Sequence, residues 1–94
     1  AYQLGMVDLL EPDPASTRQR ARALAEALLG NSPQAMALTK RAIWGATEMP
    51  DPAAHDRGWE LLKSHWSHPD FEEGPRAFAE KRKPRWNPDP NARR

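Results

Sequence analysis

Apolar positions recur at helical spacing through most of the chain. Ala21, Leu24, Ala25, Leu28 and Leu29 form one stripe, with Arg18, Arg20, Arg22 and Glu26 mostly off it. Met36, Thr39, Ile43 and Ala46 form a second, with Lys40 and Arg41 near or beyond its edge. Trp59, Leu62 and Trp66 fall at i, i+3, i+7 and define a third. Ala77 and Phe78 mark the apolar side of a shorter fourth segment. Ahead of all these, Leu4–Leu10 is a short run rich in large apolar side chains, which predicts a strand or extended segment. The pattern therefore predicts a mainly α chain with one short strand-like segment at its N-terminus.

Proline and capping residues divide the pattern. Glu11-Pro12-Asp13-Pro14 ends the extended run, because two prolines cannot continue a ladder. Asp13 can cap the first helix with Pro14 at its first position, where a missing N–H costs nothing. Gly30 is a natural stop, since it tolerates a left-handed backbone. Ser32-Pro33 and Asp51-Pro52 repeat the cap-and-proline start. The short Gly30-Asn31 joint should make the first two helices neighbours, an antiparallel pair among the arrangements open to them. Met49-Pro50 and Pro69 end the second and third helices. Asp70 with Glu73 has the form of a capping box. Pro75 then conflicts with a helix interior, so a single turn around Phe71–Glu73 and a restart near Gly74 are expected. Pro84 stops that piece, and from Asn87 onward the chain should be irregular. No internal repeat is present beyond the recurring proline at helix starts.

Composition changes the picture in one respect: the core is thin. The 94 residues include ten prolines, the apolar share is 38% and alanine supplies much of it. Mean hydropathy is −0.89. Four tryptophans offset this only partly. Such a chain should rely on contacts with another domain or another chain. Its start inside an apolar run without Met reads as a fragment or processed piece. Fourteen basic against thirteen acidic residues leave a net charge of +1, which argues against a nucleic-acid binder. Positive charge collects locally in Lys81, Arg82, Lys83, Arg85, Arg93 and Arg94, with Asp89 as the one acid among them. Without cysteine there is no disulfide or thiolate chemistry, and a reducing compartment is permitted. No apolar run is long enough for a membrane span.

Three stretches together resemble the crotonase superfamily, the enoyl-CoA hydratase/isomerase enzymes. Asp70, Glu73, Gly74, Ala77, Phe78, Glu80, Lys81, Arg82, Pro84 and Trp86 carry the pattern D-x-x-E-G-x-x-A-F-x-E-K-R-x-P-x-W of that family's C-terminal region. Leu4-Gly5-Met6-Val7-Asp8 resembles its L-G-L-V-D strand. Ser32-Pro33-x-Ala35, with Lys40 and Ala42, resembles one of its helices. The resemblance implies the helical, trimer-forming C-terminal region of a crotonase-like fold. Residues 1–12 would be the end of the spiral domain, 13–86 the helical region and 87–94 an irregular tail. It implies a parent enzyme acting on an acyl-CoA substrate, with coenzyme A entering as the thioester and no permanently bound cofactor. It also implies a trimeric or hexameric homo-oligomer, with no nucleic-acid partner and no membrane span, and a cytoplasmic location.

The family stabilises a thioester enolate with two backbone N–H groups, and its hydratases move water and proton with two glutamates, which suits a developing oxyanion. No segment here matches that donor loop or those glutamates, so no catalytic residue is assigned and the chain alone should be inactive. The resemblance places two positions in the cofactor-binding site. Phe78 would flank coenzyme A and Lys81 would lie near its phosphates. From the residues alone, Phe78 serves equally as a core aromatic, and Lys81 as a solvated or ion-paired cation. His65-x-x-His68 with Asp70 has a metal-like spacing, but Pro69 breaks the helix beside it, no third His or Cys supports it, and no metal is assigned. Trp59 and Trp66 read as core or interface residues. The alternative to an enzyme fragment is a small non-catalytic helical interaction module.

Overall fold

The computed structural model describes residues 1–94 as four helices and no strand. They are α1 (Pro14–Leu28), α2 (Pro33–Ala46), α3 (Asp51–His65) and α4 (Asp70–Ala79). The first two start as the sequence predicts. The Asp13 carboxylate accepts the Ser16 N–H at 2.9 Å, and the Ser32 hydroxyl accepts the Ala35 N–H at 3.2 Å. Each satisfies one of the unpaired donors at a helix start, and each is followed by proline at the first helical position.

α2 and α3 are the helices that pack along each other. Ala35, Leu38 and Ala42 of α2 line the seam with Gly58, Leu61 and His65 of α3. Leu61 fills the seam at 6% exposure. Leu61 and Ala77 are the two buried apolar residues of the whole chain. Trp59, Leu62 and Trp66, the stripe expected to face a core, are about half exposed. Trp59 and Trp66 instead pack edge to face at 6.4 Å on the outer side.

Four further expectations are corrected. The strand-like reading of Leu4–Leu10 is not seen. Leu4, Gly5 and Met6 donate back to Ala1 and Tyr2 in turns, because no second strand is present to pair with, and Gly5 takes φ +72°. Gly30 does not adopt a left-handed backbone; α1 ends through three successive i→i−3 bonds from Leu29, Gly30 and Asn31. α1 and α2 are not packed side by side, and α1 buries no residue. Asp51 opens α3 from inside the helix and makes no capping bond.

α4 runs unbroken through Pro75, where a restart at Gly74 is expected from the sequence. Its start is also built differently. His68 Nδ1, not a side chain of the capping pair, receives a buried N–H at the helix start, that of Asp70 itself, at 3.1 Å. Beyond α4 the chain is irregular yet tightly tied. The Trp86 indole N–H donates to the Gly30 carbonyl at 3.0 Å, and its ring lies against Gly74, where an added Cβ would sit 3.4 Å from the indole. The Arg94 N–H reaches the Ser67 carbonyl at 2.8 Å, and its guanidinium meets Glu72 and stands 5.8 Å over the Phe71 ring. No helix is long and apolar enough to cross a membrane.

Candidate functional site

The candidate site is the end of α4 and the turn that follows it. After Ala79 the chain closes a two-bond helix stop, in which Lys81 N–H donates to the Phe78 carbonyl at 3.2 Å and Arg82 N–H to the Ala77 carbonyl at 3.0 Å. Glycine usually occupies the left-handed position of this motif. Here Lys81 occupies it, at φ 51°. A non-glycine residue pays about 1–2 kcal/mol for that conformation. Phe78 and Lys81 therefore flank the helix stop, and do not share a helical face as their i, i+3 spacing suggests.

Neither side chain is used by the fold. Phe78 is 88% exposed, so it is not a core aromatic of this chain. Lys81 is exposed and enters none of the salt bridges; Glu80 pairs with Arg82 instead.

What holds the turn is Glu73. Its two carboxylate oxygens receive Arg82 Nη1 at 2.5 Å and Nη2 at 3.0 Å, a bidentate fork. The Arg85 N–H adds a third bond at 2.6 Å. These bonds hold the Glu73 carboxyl down from 4.5 to about 2, Arg82 contributing most and the Arg85 N–H next, against a smaller opposing effect of burial. Glu73, and then Glu80, raise the Arg82 guanidinium further above its ordinary range. Arg82 also donates through Nε to Glu80 at 2.5 Å and through Nη1 to the Lys83 carbonyl at 3.1 Å. The sequence pairs Glu73 with Asp70 as a capping box; the structure turns Glu73 forward, away from the helix start.

Asp70 belongs to a second, buried polar node that the sequence did not reveal. Its carboxylate accepts the Ser32 hydroxyl at 2.5 Å and the Asn87 N–H at 2.8 Å. His68, fully buried, donates from Nε2 to the Asp89 carbonyl at 3.0 Å and keeps Nδ1 bare for the Asp70 N–H. His65 stacks on His68 at 5.9 Å and turns Nδ1 to Gln34. Burial first, and then the neighbouring His68, depress its pKa below 6.5, while Asp70 pulls weakly the other way. Both imidazoles are thus engaged by the protein itself.

The profile of the enoyl-CoA hydratase/isomerase family matches residues 1–89. The chain belongs to the enoyl-CoA hydratase/isomerase family. Solved structures agree. An enoyl-CoA hydratase from Mycobacterium tuberculosis H37Rv is 34% identical with a TM-score of 0.85 over 95% of this chain and 35% of that one. An enoyl-CoA hydratase from Mycobacterium marinum is 38% identical with a TM-score of 0.81 over 90% and 33%. An enoyl-CoA hydratase/isomerase from Mycobacterium paratuberculosis is 31% identical with a TM-score of 0.83 over 93% and 34%. No curated protein matches the chain. The chain thus spans about a third of the length of these enoyl-CoA hydratases and matches their fold along that third. The family match over residues 1–89 stands against the helical-module alternative.

Proposed function

We propose that this chain is the C-terminal helical region of an enoyl-CoA hydratase or isomerase, where it supplies subunit contacts and part of the coenzyme A site. The observation that carries the reading is the family match over residues 1–89 by a chain a third as long as its structural relatives. The substrate is an acyl-CoA thioester, and the intact protein is a trimer or hexamer. Residues 1–12 close the catalytic domain, 13–86 form the helical region, and 87–94 are the tail tied back on it.

Five of the chain's thirteen carboxylates are committed to partners within the chain. Glu73 is held by Arg82, Asp70 by Ser32, Glu72 by Arg94, Glu80 by Arg82 and Glu60 by Arg57. A carboxylate committed to a cation or a structural hydroxyl is poorly placed to move a substrate proton. The apolar side chains left open support the contact role. Leu28, Met36, Ile43, Trp44 and Trp86 line a groove of about 550 Å³ along α2. Phe78 and Lys81 present an exposed apolar ring and an unpaired cation on the two sides of the helix stop, chemistry that suits a ligand with an apolar arm and phosphates.

Two measurements test this. The whole protein hydrates or isomerises an enoyl-CoA such as crotonyl-CoA, and residues 1–94 alone do not; turnover by the 94-residue chain above an inactive control overturns the division of labour. In the whole protein, Lys81→Ala weakens coenzyme A thioesters more than pantetheine thioesters, which lack the nucleotide phosphates, while Phe78→Ala weakens both. An unchanged preference in Lys81→Ala returns Lys81 to the solvated surface.

A further inference from the structure

We infer that Arg82, held by Glu73, is a positioning residue that fixes Lys81 for phosphate contact in the coenzyme A site. This rests on the assignment of Lys81 to that site. Three observations carry it. Lys81 alone among the non-glycine residues has positive φ, a conformation an L side chain leaves unless its neighbours hold it. The neighbours are held. Glu80 and Lys83 are tied to the Arg82 guanidinium, and Arg85 to Glu73. Lys81 is the one cation of the Lys81–Lys83 run whose flanking residues on both sides are fixed in this way, while its own ammonium is unpaired.

The anchoring is directional. The bidentate Glu73–Arg82 pair spans from the first turn of α4 to the residue after Lys81, with Glu73 and Arg82 side chains only 15% and 30% exposed. A planar guanidinium can make both parallel bonds and still reach Glu80; an ammonium cannot. Losing the fork lets Lys81 relax toward the right-handed backbone that L residues prefer, and this re-aims its side chain. Phosphate contact by a point charge depends on where that charge is kept.

The test uses the whole protein and saturated butyryl thioesters of coenzyme A and of pantetheine, which bind without hydration chemistry. The readout is the ratio of their dissociation constants by calorimetry at low salt. Arg82→Lys keeps the net charge and removes the fork, so long-range electrostatics stay constant. Lys81→Ala lowers the preference for the coenzyme A thioester by about fivefold or more, the range of one charge-assisted contact. Arg82→Lys is expected to lower it by most of that factor with pantetheine binding unchanged, and the double variant by no more than Lys81→Ala alone. A full preference in Arg82→Lys beside a reduced one in Lys81→Ala overturns the inference and leaves the site assignment standing. Additive losses in the double variant overturn it too, because Arg82 then contacts phosphate itself. Loss of pantetheine binding in Arg82→Lys makes the pair structural and also overturns it. An unaltered preference in Lys81→Ala overturns the site assignment and the inference together.

Discussion

Lys81 shows how a single residue can carry a cost that its own contacts do not repay. Its left-handed backbone costs about 1–2 kcal/mol relative to a relaxed residue. Glycine would escape that cost but lose about 0.5–1 kcal/mol more chain entropy on folding. The difference favours glycine, so Lys81→Gly is expected to stabilise the chain by about 0.5–1 kcal/mol, read as a raised denaturant midpoint. A lower midpoint would mean that the Lys81 side chain contributes to the fold after all. Asp70 is the opposite case. It is 3% exposed and satisfies both the Ser32 hydroxyl and the Asn87 N–H. Asp70→Ala strands both donors, and a loss of about 2–3 kcal/mol is expected in the same measurement. Neither role was legible from the sequence. Asp70 sits 38 residues from Ser32, and no local pattern reports a bond across that distance.

At the scale of elements, local chemistry was legible and pairing was not. Asp13-Pro14 and Ser32-Pro33 start α1 and α2 as read, because a cap is decided within four residues. The apolar stripe of α3 is not the face the chain buries. Trp59, Leu62 and Trp66 are its most conspicuous stripe, yet Leu61 is the residue buried against α2; Leu62 lines that groove half exposed, and the two tryptophans lie outside it. Periodicity shows that a helix has an apolar face, but not which partner the chain itself supplies. The continuous α4 was missed because Trp86, packed on Gly74 from twelve residues away, holds a helix that Pro75 should interrupt. That closure should respond to acid. Glu73 folds with its carboxyl held at about 2 against 4.5 unfolded, so its stabilisation is complete above pH 4.5 and drains away as pH falls toward 2. His65 has a folded pKa below 6.5, so its part is present above 6.5 and is lost as pH falls below that value. Acidification should therefore weaken the fold in two stages, with His65 first. Thermal midpoints from pH 8 to 2.5 check this: Glu73→Gln should remove the lower stage and His65→Gln the upper. An unaltered profile in either variant refutes the stage assigned to it.

The whole molecule is too open to be finished. Its accessible surface is 7866 Å², where a compact monomer of 10.6 kDa exposes about 5,500 Å². Its radius of gyration is 17.0 Å, where a compact chain of this length has about 12 Å. The excess surface, about 2,400 Å², is of the size that obligate interfaces bury. Much of it is apolar: Leu29, Ile43, Trp44 and Phe78 are each more than half exposed, on three different helices or their ends. Two buried apolar residues cannot offset the chain entropy of ordering 94 residues. In the proposed parent enzyme, the other two-thirds of the fold and the neighbouring subunits cover these faces. Removed from them, the 94-residue chain is expected either to self-associate through the same faces or to lose helix on dilution. Sedimentation velocity and far-ultraviolet circular dichroism from 1 to about 200 μM separate the outcomes, because both responses depend on concentration by mass action. A monomer at every concentration, with full helix content and a sharp transition independent of concentration, would show that this open arrangement is stable alone. The exposed apolar faces would then need an explanation other than contacts within a larger assembly.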